Sequence, residues 1–379
     1  MVYASFLRRL NRFVVECRLE SGEAVLAHLP NPGRLWELLY PGVRMALADG
    51  KTGKYAYGVL GVQKDEKWVY LHTLGNNDLA ERLLKSKSVA GLEEYSIIRR
   101  EVSPPASRCR FDFLLEKDGE PLWLEVKMCS LFQGKAAMFP DAPTVRGQHH
   151  LEELAKLHDE GYACAVLFIV QDLEADYFLP EYHTDPRFAE LFYEFREKIH
   201  YYAVGTAVKE DLTWKDEKKQ IKIPLEKLPL HNRDEGVYLM LLEVEEESTV
   251  TVGSLGERVF PAGWYIYVGS ARKNLTKRME RHVRKRKKYH WHLDYLRSKA
   301  STVKAVPIRT AESAECLLAA SMDELFPLEA SLSKTLLGFG CSDCDCDRHL
   351  FYSPQTPLDN KGFIEKLLYW RMEKPLSDL

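Results

Sequence analysis

The 379-residue chain is 45% hydrophobic and 29% charged with a formal net charge of −3, which suits a soluble globular protein of two or three domains and excludes a globally basic nucleic-acid binder. No long apolar run precedes the arginines of "MVYASFLRRLNRF", and no later segment reaches membrane-spanning length. The expectation is a cytoplasmic protein with no membrane partner, in which local basic clusters supply any contact with polyanions.

In chain order, residues 11–72 alternate short β-rich runs ("FVVECRLE", "EAVLAHL", "YAYGVLGVQ") with Gly, Asp and Pro turns, which predicts a small barrel or antiparallel sheet over 1–72. "NNDLAERLLKSK" predicts a helix and "YSIIRREV" a strand. "RFDFLLEKDGEPLWLEVK" predicts a hairpin turning at Asp118 and Gly119, and "TVRGQHHLEELAKLHDEG" an amphipathic helix ended by Gly161. The apolar run "ACAVLFIVQD" then predicts a strand buried on both faces. Strand, helix and parallel strand in that order form a crossover unit, so 73–230 is expected to be an α/β domain tailing into a polar linker. A third region over 234–379 brings strands at "GVYLMLLEV" and "YIYVGSA", an Asn-capped basic helix over 274–288 and a cysteine-rich segment at 341–349. Cys17, Cys109, Cys129 and Cys164 fall in apolar or strand-like contexts and are expected to be buried, reduced thiols.

The first chemistry lies in the hairpin. Alternate residues of a strand share a face, so Glu125 and Lys127 project together, and Asp112 between Phe111 and Phe113 reaches the same face from the partner strand. Two carboxylates converging at a sheet suit Mg²⁺ or Mn²⁺, and the ammonium suits a water or a phosphate: this is phosphodiester-hydrolysis chemistry. The bare triplet is weak, since acid-x-Lys recurs at Asp65 to Lys67 and Asp216 to Lys218, and an interior Glu125–Lys127 ion pair is the competing reading.

"AHLPNPGRL", "SRCRFDFLL", "WLEVK" and "FPDAPTVRGQHHLEEL", in that order, resemble the sugar fermentation stimulation protein A (SfsA) family over residues 1 to about 230. The resemblance implies an OB-like barrel followed by a nuclease domain of the PD-(D/E)xK fold, and binding to DNA. It places Asp112, Glu125 and Lys127 in metal and catalytic positions, makes Glu101 a further acid, sets Gln148 and His150 on the helix facing the site, and makes Arg34 a phosphate contact. On the residues alone, Glu101 could instead pair with Arg99 and Arg100, and His150 could be a solvated histidine.

In the third region, Arg278, His282 and Lys285 fall at i, i+4 and i+7 of the expected helix and share a basic face beside two tyrosines; a solvated charged helix is the competing reading. The tyrosines and glycines resemble the GIY-YIG endonuclease superfamily over about 234–355, specifically a prokaryotic branch carrying "HWHLDYL", "EC" and "GFGCSDC". That resemblance makes Tyr238 and Tyr267 the motif tyrosines, Arg278 the phosphate-binding arginine, His282 an auxiliary group and Glu315 the metal ligand. The chain departs from it in the long insertion "EVEEESTVTVGSLGERVF" and in lacking an evident late asparagine. His290 and His292 either line the groove or flank Trp291. Arg281, Arg284 and Lys285 are the strongest nucleic-acid-binding candidates in the basic run, and Cys341, Cys344, Cys346 and His349 form either a turn of reduced thiols, the reading their non-standard spacing favours, or a zinc knot.

The reading is therefore a multidomain α/β and α+β protein, a metal-dependent nuclease acting on DNA or RNA, whose first centre dominates the second. A DNA-binding regulator of sugar metabolism without turnover is the alternative.

Overall fold

Alternation of inward and outward side chains folds the first seventy residues into β1 (Val2–Asn11), β2 (Val14–Leu19), β3 (Ala24–His28), β4 (Arg44–Thr52), β5 (Tyr55–Lys64) and β6 (Lys67–Tyr70). Their order is β3-β2-β1-β4-β5-β6, and a further pairing of β3 with β5 at Ala27↔Tyr57 and His28↔Gly58 closes the sheet. Register shifts within β1 and β4 supply the local bends that closure needs. Val15, Cys17, Ala27, Met45, Leu47 and Val59 fill the interior. The computed structural model describes residues 1–376 apart from 73–74, 106–108 and 343.

Next come α1 (Asn76–Lys85), β7 (Ser96–Val102), β8 (Phe111–Lys117), β9 (Glu120–Cys129), β10 (Leu131–Gln133), β11 (Ala136–Phe139), α2 (Val145–Asp159), β12 (Ala163–Val170), β13 (Tyr177–Pro180), α3 (Pro186–Glu194), β14 (His200–Gly205) and β15 (Lys219–Gln220). The main sheet runs β15-β14-β12-β9-β8-β7, and β9, β12 and β14 lie parallel, with α2 linking β9 to β12. Leu79, Ala80, Leu83 and Leu84, at helical spacing on α1, cover one face of this sheet through Phe113, Leu115, Leu124, Val126, Leu167 and Ile169. Residues of opposite parity face the other layer, where Phe168 of β12 stacks on Phe178 at 4.2 Å and lies 5.8 Å from Phe192 of α3. β12 is thus buried on both faces, as a parallel central strand must be. Thr144 caps α2 by accepting the Gly147 N–H.

The chain divides into two units, Met1–Leu228 and Pro229–Pro375, at the start of the short helix α4 (Leu228–His231). The second unit contains β16 (Gly236–Val244), β17 (Ser248–Thr251), β18 (Glu257–Phe260), β19 (Gly263–Ala271), α5 (Leu275–Val283), α6 (His292–Arg297), β20 (Thr302–Arg309), α7 (Glu315–Leu325), α8 (Ser333–Leu336), β21 (Leu350–Ser353) and α9 (Lys361–Leu368). Four of these strands form an antiparallel sheet in the order β20-β16-β19-β21, and the long insertion is a separate β17–β18 hairpin.

Two local expectations are corrected here. The basic helix is α5, which ends at Val283 and not near 288, because the Lys287 ammonium turns back to donate to the carbonyls of Arg281 and His282 at 3.0 Å and caps it. Lys285 therefore leaves the helical face it was expected to share with Arg278 and His282. Asn274 does not cap through its side chain; it lies in the left-handed region, φ 55°, and Asp234 accepts the Thr276 N–H at 2.9 Å instead. Among the described residues no helix is long and apolar enough to cross a membrane. Cys17, Cys109, Cys129 and Cys164 are all buried, and none is in a disulfide.

Candidate functional site

The β8–β9 hairpin turns through Asp118 and Gly119, both at positive φ, as a two-residue connection requires. Its ladder ends at Phe113↔Leu124. Beyond that pair the Asp112 carboxylate accepts the Val126 N–H at 2.8 Å, replacing the next backbone partner and fixing Asp112 beside Glu125. Glu125 is only 4% exposed. Its Oε1 meets Lys127 Nζ and His150 Nδ1, each at 2.5 Å, while Arg146 Nε donates to His150 Nε2 at 3.3 Å. The imidazole proton therefore sits on Nδ1, facing Glu125. Oε2 of Glu125 is buried and has no hydrogen-bond partner among the described residues.

Burial alone would push the Glu125 carboxyl up, but the Lys127 charge and the His150 hydrogen bond outweigh it and hold the group below its ordinary value. Asp112 goes the other way: burial and then the Glu125 charge push it up to about 6, against the Val126 N–H and Asn77. A carboxylate pair in which one member is driven up and a buried oxygen is left unpartnered is a donor set that fits a hard divalent cation.

Two residues join this cluster that the sequence did not single out or did not settle. Asn77, in the first turn of α1, donates its amide to Glu101 Oε1 at 2.8 Å and to Asp112 Oδ1 at 3.0 Å. Glu101 does not pair with its neighbours Arg99 and Arg100; Arg100 is taken by Asp78 and Glu81, and Glu101 meets Arg110 at 3.1 Å. Glu101 also holds a left-handed backbone, φ 52°, unusual for a residue with a side chain.

The Gln148 amide donates to Asp185 Oδ1 at 2.8 Å, the residue that caps α3. Arg34 is half-buried, feels the charges of Glu181 and Asp141, and stacks at 5.0 Å on Trp36. The "PNPGRL" loop is held by Asp141, whose Oδ2 accepts the Leu35 N–H at 3.1 Å; a Cβ on Gly33 would lie 2.2 Å from that oxygen. Arg9 also holds the loop, donating to the Gly33 and Arg34 carbonyls at 2.7 and 2.8 Å, and the exposed Arg12 donates to the Pro32 carbonyl at 3.2 Å. Arg12, Asn31 and Gly33 of the barrel share a cleft of 240 Å³ with Lys127, Ser130 and Thr144 of the α/β domain.

In the second unit, β16 and β19 pair so that Tyr238 lies opposite Gly269 and Tyr267 opposite Met240. The Tyr238 ring crosses Gly269 so closely that a Cβ there would sit 2.5 Å from it, which explains the glycine of "YVGSA". Tyr238, Tyr267, Arg278, Glu315, His290 and His292 line one cavity of 150 Å³, with Trp291 in its wall. Arg278 donates to the Ser270 carbonyl at 3.1 Å and lies 5.0 Å over Trp291. Glu315 accepts from the Ser270 hydroxyl and lies 3.3 Å from His349 Nδ1; burial would raise it, but these two contacts hold it low. Burial raises both tyrosine hydroxyls well above the ordinary phenol value.

Behind the cavity, Tyr238 Oη and His282 Nε2 are 3.0 Å apart, and the other imidazole nitrogen faces Asp294 at 3.7 Å. Burial lowers the His282 pKa, against the pull of Asp294. Asp294 was not singled out by sequence. Against the upward push of burial it is held far below the usual carboxylate range by His282, Arg281, Lys287 and the His290 N–H. Arg281, expected to bind nucleic acid, is committed to Asp294 through two bonds of 3.0 and 3.1 Å. Arg284 and Lys285 are exposed. The zinc knot is also redrawn: Cys344, Cys346 and His349 are joined by Cys316 of α7, while the Cys341 thiol faces the Phe339 carbonyl at 3.6 Å.

The architecture defines a closed β-barrel joined to a mixed sheet bearing a carboxylate–lysine–histidine cluster, followed by a second α/β unit with a tyrosine-lined cavity. The chain belongs to the sugar fermentation stimulation protein (SfsA) family. Residues 7–71 match the SfsA N-terminal OB domain and 75–211 the sugar fermentation stimulation protein RE domain; residues 237–367 match a domain of unknown function, DUF123. The sugar fermentation stimulation protein homolog of Methanothermobacter thermautotrophicus is 40% identical over 187 residues, 49% of this chain and 77% of that one. The homolog of Clostridium tetani is 36% identical over 223 residues, 58% of this chain and 96% of that one. The solved structure of Pyrococcus furiosus SfsA in complex with Ca²⁺ is similar at a TM-score of 0.52 and 30% identity, covering 59% of this chain and 95% of that one.

Proposed function

We propose that the chain is a divalent-cation-dependent nuclease that hydrolyses phosphodiester bonds in DNA or RNA, with its principal centre of PD-(D/E)xK type at Asp112, Glu125 and Lys127. The observation that carries this reading is Oε2 of Glu125, buried beside Asp112 without a hydrogen-bond partner among the described residues. Asp112 and Glu125, with Glu101 in reach of the same Asn77 amide, are the residues that would hold Mg²⁺ or Mn²⁺. The bound cation would supply Lewis acidity at the phosphate and a more acidic water. The Ca²⁺ named for the Pyrococcus furiosus relative belongs to the same oxygen-ligand chemistry.

His150 and Lys127 both hold Oε1, which leaves Oε2 as the Glu125 oxygen free to meet a cation; Lys127, at the cleft, would put a positive charge beside a phosphate oxygen or attacking water. Arg12 and the barrel loop offer the backbone of a bound strand its contacts across the shared cleft. In the second unit we read a GIY-YIG-like centre in which the Tyr238 hydroxyl would take a proton from the attacking water as it hands its own to His282 Nε2, so that no free phenolate forms, Arg278 meets the phosphate and Glu315 is the residue that would hold a cation.

The competing reading is a nucleic-acid-binding regulator without turnover, which the pairing of Glu125 with Lys127 and His150 favours, since a compensated cluster is stable by itself. A cleavage assay on single- and double-stranded DNA and RNA, with Mg²⁺, Mn²⁺ or chelator, separates them. Cation-dependent products that vanish in Glu125→Ala support hydrolysis at this centre; retention of binding with no products under any condition favours the regulator.

A further inference from the structure

Outside the tyrosine cavity, the second unit gathers three thiols and an imidazole from separate parts of the chain. Cys316 lies in the first turn of α7, Cys344 and Cys346 in the loop that follows α8, and His349 just before β21. One ligand atom from each lies within 4.8 Å of all the others, and Cys344 Sγ is 3.6 Å from His349 Nε2. With zinc–sulfur bonds of about 2.3 Å and zinc–nitrogen bonds of about 2.0 Å, a tetrahedron has a sulfur–nitrogen edge of roughly 3.6 Å and a sulfur–sulfur edge of roughly 3.8 Å. The Cys344–His349 edge already has that length. The widest separation exceeds a sulfur–sulfur edge by only about 1 Å, within reach of side-chain rotation.

His349 is 1% exposed and its backbone is fixed on both sides, the backbone N–H donating to the Phe339 carbonyl at 2.8 Å and the backbone carbonyl accepting the Val268 N–H at 2.9 Å. Nδ1 is buried, makes no hydrogen bond among the described residues and lies 3.3 Å from Glu315 Oε1, so Nε2 is the nitrogen presented to the thiols. A small turn of the Glu315 carboxylate would complete the hydrogen bond that fixes the tautomer and ring orientation of a metal-bound imidazole. Cys316 directly follows Glu315, so one turn of α7 supplies both the carboxylate behind the imidazole and a thiol in front of it. Three soft sulfurs and one nitrogen select zinc over the oxygen-seeking cations suited to Asp112 and Glu125.

We propose that Cys316, Cys344, Cys346 and His349 bind one Zn²⁺ ion in a closed Cys₃His structural site that ties the 340–349 loop to α7. Because Glu315 and Gly340 line the tyrosine cavity, the ion would hold two parts of that cavity's wall to one another. The site stands whether or not the cavity is catalytic.

The test is the zinc content of the full chain, purified under reducing conditions without chelator, by plasma mass spectrometry. Wild type and Cys341→Ser are expected to carry one zinc per chain, and Cys316→Ser to lose it tenfold or more. Equal zinc in Cys316→Ser and wild type overturns the ligand set, and so does loss confined to Cys341→Ser. Should Cys316→Ser not fold, Co²⁺ titration of the wild-type full chain, after its zinc has been stripped with chelator under reducing conditions and the chelator removed, reads the same coordination. A thiolate-to-cobalt charge-transfer band with tetrahedral d–d absorption, abolished by equimolar Zn²⁺, supports the site; absence of both bands refutes it.

Discussion

Asp294→Asn is the substitution whose cost the structure specifies most fully. The Asp294 side chain has no solvent exposure, and its two oxygens receive Arg281 at 3.0 and 3.1 Å, Lys287 at 2.8 Å, and the N–H groups of His290 and Trp291 at 2.9 and 3.1 Å. Every one of these partners donates. An asparagine must turn its NH₂ toward one of the two sets, leaving at least two donors unmatched, and it leaves the buried Lys287 ammonium without its counter-charge. Breaking a buried pair by removing one partner costs about 3–5 kcal/mol, which for a unit of this size moves the thermal midpoint by roughly 10–15 °C. The assay is differential scanning calorimetry of the full chain, following the transition of the second unit. The pH dependence has a fixed sign. A carboxyl depressed on folding contributes stability that is fully present above its unfolded value near 3.8 and is lost as pH falls below it. The deficit of Asp294→Asn is therefore full at pH 7 and shrinks on acidification below about 4. A deficit under about 1 kcal/mol at pH 7, or one that does not change with acid, refutes the buried hub.

Gly269→Ala would place a methyl 2.5 Å from the Tyr238 ring and is expected to cost about 1–3 kcal/mol while displacing that hydroxyl from His282; unaltered stability and an unaltered tyrosine titration would show that the ring has other room. Arg284 and Lys285 are exposed and not committed to Asp294, so replacing both with alanine should weaken nucleic-acid binding across sequences and lower the slope of log affinity against log salt by about one per lost phosphate contact. An unchanged slope in filter-binding titrations would mean that this segment faces away from the polyanion.

The parts of the site that sequence made legible are those set by local periodicity. The two-residue turn at Asp118 and Gly119 fixes the hairpin register, and period two puts Glu125 and Lys127 on one face. His150 entered only through the family resemblance, because the α2 pattern that buries Leu151, Leu154 and Leu157 leaves a histidine on that helix open to a solvated reading. What escaped depends on distant contacts. Asn77 reads as one of two asparagines opening an amphipathic helix, and only the approach of α1 to β8 gives it Asp112. Cys316 carries no spacing relation to Cys344 and Cys346 that a motif would reveal. Arg281 and Lys287 read as members of a basic run, but burial of Asp294 draws both inward and ends the helix early. The acids whose charge Arg34 feels, Glu181 and Asp141, lie far along the chain in the other domain of the same unit, so its surroundings could not be read from its own loop.

Whether the first centre is the working one is decided most directly by single-turnover cleavage of a mixed DNA and RNA panel in Mn²⁺ by the wild type, Glu125→Ala, Glu315→Ala and the double variant, with binding measured in parallel. The account predicts that Glu125→Ala loses cleavage by orders of magnitude while still binding, because the carboxylate serves the cation and not the polyanion, and that Glu315→Ala stays near wild type. Full cleavage by Glu125→Ala together with its loss in Glu315→Ala would contradict that ranking and make the N-terminal unit a binding platform for the C-terminal centre.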